Sequence, residues 1–294
     1  MNMKIIHACI LVAVLASFAL TYYFLSQPLY VSISFDVERD PLALNKGEVS
    51  FEGVKVIPKI LGILEAHNAS ATFFVTGRVA DLFPDILRET TERGNELAVH
   101  GGYYHDQKIA GLPRASQKKA ILDTKARIEE IDGEVVGYRS PGHLLDAETL
   151  HALEELGFEY DSSVVPSVVG WYLYRHALYV TASPYHPDYK NPFVGGDMAL
   201  LEIPITPVFL NGNLDSLLGY QGTAITKLEL FASIVECKLR NRPLVVYLHP
   251  GLFVDLPNEP LDYGTGSHIL KEFDSVLSFL DSFNTHYITL RELS

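Results

Sequence analysis

The chain has 294 residues, of which 48% are hydrophobic and 20% are charged, and its formal net charge is −13. This is the composition of a globular protein with one large domain or two small ones. The acidic balance argues against nucleic acid as a partner, because phosphate binding needs clustered Lys and Arg. We also expect no disulfide framework, since one of the two cysteines, Cys9, lies in an apolar N-terminal run.

That run, Ile5–Leu25, contains no Asp, Glu, Lys or Arg over 21 residues, enough for a helix to cross roughly 30 Å of hydrocarbon. We expect residues 1–28 to be an uncleaved signal anchor. A cleaved signal peptide is the alternative, since Ser17-Phe18-Ala19 offers a small-x-small site. Because Lys4 precedes the run, the positive-inside rule predicts a single-pass membrane protein with residues 29–294 outside the cytoplasm.

The remainder of the chain alternates between predicted strands and helices. The predicted strands are Tyr30–Glu38, Ala71–Thr76, Glu96–His100, Val135–Arg139, Phe158–Ser162, Leu200–Ile205, Leu244–His249 and Tyr287–Leu290. The predicted helices are Ile57–His67, Val79–Arg93, Ser116–Ile131, Asp146–Leu156, Ile225–Arg240 and Ile269–Phe283, and residues 164–198 are predicted to be loop. This alternation predicts an α/β fold with a parallel sheet covered by helices. Seven or eight strands favour a (β/α) barrel, and the lack of a Gly-rich fingerprint after the first strand disfavours a Rossmann fold.

Ionisable side chains stand at or just after the ends of five predicted strands. They are Asp36 and Glu38, His100 and His105, Arg139, Asp161, and His249. Taken singly, each is more often a helix cap, a satisfied polar residue or an ion-pair partner than a functional group. The carboxyl ends of barrel strands converge on one face, so their joint placement predicts a single site.

The residue types at these ends suit a metal site. A carboxylate and two imidazoles form a ligand set for catalytic Zn²⁺ that leaves a position open for water. Asp36 and Glu38 lie two residues apart, so on a regular strand both face one side, and one can bind metal while the other takes a proton. His249 can then serve as an acid, and the charge of Asp161 or Arg139 can set pKa values.

Five segments, in this order, resemble the motifs of the polysaccharide deacetylase (NodB-homology) family. They are Ser34–Glu38 in the family's Asp-x-Asp/Glu variant, Glu96–Gly101 with His105, Gly137–Pro141, Tyr160–Ser163 and Leu248–Pro250. The resemblance implies a distorted (β/α) barrel that holds a divalent metal, usually zinc. It also implies hydrolysis of the N-acetyl amide of amino sugars in a cell-envelope or extracellular glycan, with release of acetate.

The same resemblance implies a role for each matched residue. Asp36 would be the catalytic base, and Glu38, His100 and His105 would bind the metal. Arg139 would orient Asp36.

The acid side of the reaction is implied in the same way. His249 would be the catalytic acid and Asp161 its partner. The backbone N–H of Gly142 is a candidate donor to the oxyanion.

The spacing of the two histidines departs from the family pattern. The family usually has His-x-x-x-His, whereas four residues separate His100 from His105, and Tyr104 stands at the usual place of the second histidine. Gly101-Gly102 could absorb the extra residue as a bulge. Loss of the second ligand is the alternative.

Three other functions remain open from the sequence. One is a deformylase or deacetylase of a lipid-linked sugar. Another is a catalytically inactive carbohydrate-binding barrel. The third is a membrane-tethered scaffold whose aromatic loop residues meet a partner, although the same residues suit sugar stacking or simple packing; they are Trp171, Tyr172, Tyr174, Tyr179, Tyr185 and Tyr189.

Overall fold

The computed structural model describes residues 22–41, 47–167, 180–208, 214–255 and 265–294, with five separate residues between 7 and 15. Its strands are β1 (Leu29–Val37), β2 (Ala71–Val75), β3 (Glu96–His100), β4 (Gly137–Arg139), β5 (Tyr160–Asp161), β6 (Leu201–Glu202), β7 (Leu244–Leu248) and β8 (Thr285–Tyr287). Its α-helices are α1 (Glu52–Ala66), α2 (Gly77–Leu82), α3 (Pro84–Glu92), α4 (Arg114–Asp132), α5 (Ala147–Glu155), α6 (Leu214–Arg240) and α7 (Ile269–Asp281). Short 3₁₀ turns occupy Pro141–His143, Pro250–Phe253 and Arg291–Leu293.

The eight described strands form one parallel sheet in the order β6–β5–β4–β3–β2–β1–β7, and β8 pairs with the beginning of β1. The two ends of this path approach one another, since the backbone N–H of Thr206, beyond β6, donates to the carbonyl of Val245 in β7 at 2.8 Å. The predicted parallel α/β architecture is confirmed. A sheet curved in this way fits a distorted barrel.

Alternation along β1 separates the hydrophobic core from the functional face. The odd-numbered residues of Leu29–Val37 pack into the main core with the helices, where the Phe35 and Phe73 rings stack with centroids 4.9 Å apart. Ser34 and Asp36 are buried as well but point the other way, into the barrel interior. A strand covered on both faces is typical of a parallel barrel, and it brings a carboxylate into the interior.

Three helices differ most from their predicted extents. Helix α1 begins at Glu52 rather than Ile57. The predicted helix Val79–Arg93 is divided into α2 and α3, because Pro84 lacks an N–H and begins a new helix. Helix α6 begins at Leu214 rather than Ile225, and Gly222 interrupts it with a positive φ of 72°. The longer helix carries a residue of the site in its first turn.

Four strands are shorter or displaced. β4 begins at Gly137 rather than Val135. β5 and β6 cover two residues each. The loop before β6 pairs with it in the opposite direction, since Tyr185 and Glu202 exchange backbone hydrogen bonds at 3.0 and 2.8 Å. β8 lies at Thr285–Tyr287, two residues before its predicted start, where it pairs with Leu29–Val31.

Part of the predicted aromatic loop lies outside the described residues, namely Trp171, Tyr172, Tyr174 and Tyr179. The two described tyrosines make local contacts. The hydroxyl of Tyr185 donates to the carbonyl of Pro192 at 2.6 Å, and the Tyr189 ring stacks on His151 with centroids 5.5 Å apart.

The predicted membrane segment Ile5–Leu25 also lies largely outside the described residues. Among the described residues, no helix combines the length and the apolar character needed to span a bilayer. The chain just before β1 is tied to α6, where the Lys238 ammonium donates to the carbonyls of Phe24, Leu25 and Gln27 at 3.1, 3.3 and 2.8 Å.

Candidate active site

Three of the predicted site residues form a group that could hold a metal ion. Ligand atoms of Glu38, His100 and His105 all lie within 4.8 Å of one another. Nε2 of His100 is 3.1 Å from Oε2 of Glu38, and Nδ1 of His105 contacts the same oxygen. Nδ1 of His100 lies 3.2 Å from the carbonyl of Arg139. This contact suits an Nδ1–H donor, which leaves the Nε2 lone pair directed at the group.

The chemistry of these donors fits a divalent cation. Nδ1 of His105 is buried and lies against Oε2 of Glu38. Two imidazoles and a carboxylate that converge in this way match a catalytic Zn²⁺ site with an open position. Burial would raise the pKa of Glu38, but the imidazoles of His100 and His105 lower it to about 2, so the carboxylate is ionised and ready to bind.

The turn after β3 places His105, and not Tyr104, beside Glu38. Gly101 has a positive φ of 63°, and a Cβ there would lie 2.4 Å from the ring of Pro141, so only glycine fits. Gly102, the second glycine expected to take up the extra residue, does not have a positive φ. Tyr104 points outward with 49% of its surface exposed. The wider histidine spacing is therefore compatible with two histidines at one site.

Arg139 fixes Asp36 in the barrel interior. Its Nη1 donates to Oδ1 of Asp36 at 2.8 Å and to the Ser34 hydroxyl at 2.9 Å. Its Nε and Nη2 donate to the carbonyl and hydroxyl of Ser162 at 2.8 and 3.0 Å, and its Cζ lies 4.0 Å from the Phe74 ring centroid. Burial would raise the pKa of Asp36, but Arg139 and nearby histidines hold it well below its usual range. Asp36 is therefore an oriented, ionised carboxylate.

His249 faces Asp36 across the same space. Its Nε2 lies 4.0 Å from Oδ2 of Asp36 and 3.8 Å from Oε1 of Glu38. Its Nδ1 contacts Oδ2 of Asp215, and its backbone N–H donates to Oδ1 of Asp215 at 2.9 Å. Burial disfavours the imidazolium, but the charge and hydrogen bond of Asp215 raise the pKa of His249 to about 10. The ring is thus a cation at neutral pH with Nε2 directed at the carboxylates.

The predicted pairing of His249 with Asp161 is wrong. Tyr160 packs inside the barrel against Phe74, so strand alternation turns Asp161 to the other face. There Oδ1 of Asp161 accepts from the Ser163 hydroxyl at 2.6 Å, and Glu202 is its register partner on β6. Burial raises the pKa of both carboxyls.

Some residues of the site escaped the sequence interpretation. Asp215 lies in the first turn of α6 and belongs to none of the five motifs. His143 directly follows Gly142, and its ring lies 5.0 Å from that of Tyr247 in an edge-to-face arrangement. His143 and Tyr247 line a cavity of about 400 Å³ together with six predicted residues, which are Asp36, Glu38, His100, His105, Gly142 and His249. The position of His143 beside a motif was the one signal that could have found it.

Comparison with known proteins points to one family. The polysaccharide deacetylase family model matches residues 30–160. The peptidoglycan deacetylase of Helicobacter pylori is 26% identical over 176 residues, which are 58% of this chain and 59% of that protein. The peptidoglycan-N-acetylglucosamine deacetylase of Bacillus cereus is 30% identical over 122 residues, which are 38% of this chain and 42% of that protein. The chain therefore spans less than two thirds of the length of these relatives.

Solved structures agree on the fold. A protein of Mycobacterium smegmatis assigned as a polysaccharide deacetylase is 24% identical to this chain and has a TM-score of 0.63. The match covers 90% of this chain and 88% of that protein. PuuE allantoinase is 17% identical with the same coverage and a TM-score of 0.65. At these identities the likeness concerns the fold alone. The family match over residues 30–160 confirms the predicted resemblance to the polysaccharide deacetylases for that part of the chain.

Proposed function

We propose that this protein is a metal-dependent deacetylase that hydrolyses the N-acetyl amide of amino sugars in a cell-envelope or extracellular glycan. One observation carries the proposal: an ionised, oriented carboxylate, a cationic histidine and a three-residue donor group line one cavity of about 400 Å³. The carboxylate is Asp36, the cation is His249, and the donor group consists of Glu38, His100 and His105. The names of the two bacterial relatives support an acetylated glycan as the substrate class.

Glu38, His100 and His105 would hold the metal, for which Zn²⁺ is our choice from the donor set. Such an ion, when bound, polarises a carbonyl and lowers the pKa of coordinated water. Asp36 takes the proton from the water that attacks the acetyl carbon, and Arg139 keeps the accepting oxygen in place through the 2.8 Å bond to the other oxygen of the same carboxylate.

His249 completes the reaction on the opposite side. Its Nε2–H donates a proton to the amide nitrogen as the C–N bond breaks, so that acetate and a free amino sugar leave. Asp215 holds the ring through Nδ1 and stabilises its charge. The N–H of Gly142, which lines the same cavity, is the candidate donor to the oxyanion.

The position of His105 favours a catalytic barrel over an inactive carbohydrate-binding barrel. The inactive alternative rests on loss of the second histidine ligand, and the contact of His105 with Glu38 supports retention of that ligand.

Metal analysis of the purified protein, paired with acetate release from a panel of N-acetylated and N-formylated glycans, tests the proposal. Asp36→Asn and His249→Ala should each lose at least about 100-fold in turnover, the usual contribution of a general acid or base, while they retain the metal. Wild-type turnover in either variant would refute the assignment. Formate release without acetate release would favour the deformylase.

We also propose that residues 1–28 anchor the protein in a membrane with the catalytic domain outside the cytoplasm. The apolar run Ile5–Leu25 supports this location, and the Lys238 contacts would keep the domain close to the end of that run. The protein should stay in the membrane fraction, and external protease should digest the domain in intact cells. A soluble form that begins near Leu20 would show a cleaved signal peptide instead, and protection from protease would contradict export.

A further inference from the structure

A second cavity, of about 320 Å³, adjoins the catalytic cavity and shares Arg39 and His105 with it. Arg78 and Tyr104 also line it, and neither lines the catalytic cavity. A group bound there would therefore belong to the same ligand as the reacting amide but lie outside the reacting sugar.

The two arginines of this cavity differ from every other arginine that the structure describes. Eight others form an ion pair with Asp or Glu; they are Arg88, Arg93, Arg114, Arg127, Arg139, Arg240, Arg242 and Arg291. Among the described residues, Arg39 and Arg78 have no carboxylate partner, and Asp106 is the one carboxylate among the lining side chains. Arg39 donates weakly to the carbonyl of Asp40 at 3.5 Å. Guanidinium groups of this kind are free to bind an anionic ligand.

Arg78 is held in place by aromatic rings and backbone. Its Cζ lies 5.3 Å from the centroid of Phe51 and 5.6 Å from that of Tyr104, and its backbone N–H donates to the carbonyl of Tyr103 at 2.9 Å. Cation–π contacts orient a guanidinium without using its N–H donors. The fork of Arg78 is thus positioned by contacts that leave its N–H donors available to a ligand.

Tyr104 connects this arrangement to the unusual histidine spacing. It occupies the place where a His-x-x-x-His pattern would have its second histidine, and its ring contacts Arg78 while His105 contacts Glu38. The wider spacing thus supplies both a metal-site histidine and an aromatic neighbour for Arg78.

We propose that Arg39 and Arg78 form a subsite for a carboxylate on the sugar next to the one that is deacetylated. This inference rests on the proposed function. A guanidinium binds a carboxylate through paired, charge-assisted hydrogen bonds. With a formal net charge of −13 the protein as a whole repels an anionic glycan, so a local pair of cations is needed to admit one. The carboxylate could belong to a lactyl ether or to a uronic acid.

Three N-acetylated oligosaccharides of equal length test the subsite: a neutral one, one with lactyl ethers on alternate sugars, and one with alternate uronic acids. Their affinities for the metal-loaded full chain carrying Asp36→Asn are measured by calorimetry, and their KM values with the unmodified enzyme. We expect at least one acidic glycan to bind about tenfold more tightly than the neutral one, a preference that falls as salt rises. Comparison of the two acidic glycans identifies the source of the carboxylate.

Arg78→Gln should remove most of this preference, Arg78→Lys should keep part of it, and Arg39→Gln is a second variant in case Arg78→Gln unfolds. Arg88→Gln is the matched control, because Arg88 pairs with Asp85 at 3.0 Å and is absent from the lining of the cavity. Equal binding of all three glycans, or a preference that both Arg78→Gln and Arg39→Gln retain, would overturn the subsite. Absence of hydrolysis with a retained binding preference would count against the proposed function alone.

Discussion

Nδ1 of His249 is paired with the carboxylate of Asp215, and the other oxygen of that carboxylate accepts the backbone N–H of His249 at 2.9 Å. These two contacts to one carboxylate fix the orientation of the His249 ring and keep a proton on its Nδ1. The acidic proton is thereby confined to Nε2, which faces Asp36 at 4.0 Å. Asp215 therefore acts on the reaction by positioning His249.

Asp215→Asn should lower kcat/KM about 10- to 100-fold, part of the usual contribution of a general acid. Burial lowers the pKa of His249, but Asp215, with smaller contributions from Glu38 and Asp36, raises it to about 10. A general acid must be protonated, so activity falls as pH rises through that pKa. Without the carboxylate the pKa is lower, and the alkaline limb of the pH–rate profile should move to lower pH. Profiles of both enzymes, with metal content measured in parallel, check this result.

Asp161→Asn is the matched control for this experiment. Asp161 contacts Ser163 and pairs with Glu202 on the face of β5 opposite the interior, so its replacement should leave the alkaline limb unchanged. A shift of that limb in Asp161→Asn, with none in Asp215→Asn, would reverse the assignment of the partner of His249.

The period of a β-strand made part of this site predictable from sequence. Asp36 lies on the interior face of β1 because residues two apart share a face, and Arg139 meets it because parallel strands end on one side of the sheet. Both rules need only the positions of the residues along their strands. They do not require knowledge of the path that a long loop takes back to the barrel.

The partner of His249 could not be predicted, because its identity depends on how a distant segment of the chain packs against the barrel. Asp215 precedes it by 34 residues and lies in the first turn of a helix, where an acidic residue is most simply explained by the helix dipole. Asp161 matched a motif but stands on a strand of two residues, and a shift of one residue decides which face its side chain occupies. Tertiary packing fixes that choice.

His105→Ala should lower metal content and activity together, because the group would keep only Glu38 and His100 as ligands. Tyr104→Phe should leave metal content intact, since its phenol has an unperturbed pKa of about 10 and is a poor zinc ligand at neutral pH. Metal analysis of both variants after dialysis against a weak chelator measures the difference. Undiminished metal in His105→Ala would show that another group completes the site and would favour the inactive barrel.

Arg139→Lys should reduce turnover at least about tenfold without loss of metal. A lysine keeps the charge but cannot donate to Asp36, Ser34 and Ser162 at once, as the guanidinium does. Arg139 lowers the pKa of Asp36, so a weaker partner should raise it. Asp36 must be ionised to act as a base, and the acid limb of the pH–rate profile should therefore move to higher pH.

Arg127→Lys is the control, because Arg127 pairs with Asp81 at 3.4 Å on the surface. An unmoved acid limb in Arg139→Lys would show that Arg139 supports the fold but does not tune Asp36.

Glu202→Gln should unfold at the same temperature as the unmodified protein, or at a higher one, at pH 8. Burial and the adjacent Asp161 raise the pKa of Glu202 well above its usual range, so this carboxyl stays protonated to a higher pH in the folded protein than in the unfolded chain. The unfolded chain releases that proton above its normal pKa of about 4.3, and the stability of the unmodified protein therefore falls as pH rises past that value.

A glutamine mimics the protonated acid and removes this pH dependence, so its advantage should shrink as pH approaches 4. Its oxygen can still accept the backbone N–H of Val164, which Glu202 accepts at 3.0 Å. Glu202→Ala leaves that buried donor unsatisfied and should cost about 1–3 kcal/mol. Melting curves of both variants between pH 4 and pH 8 make the comparison. Earlier unfolding of Glu202→Gln at pH 8 would mean that the Asp161–Glu202 pair needs its charge, and that the two carboxyls do not share a proton.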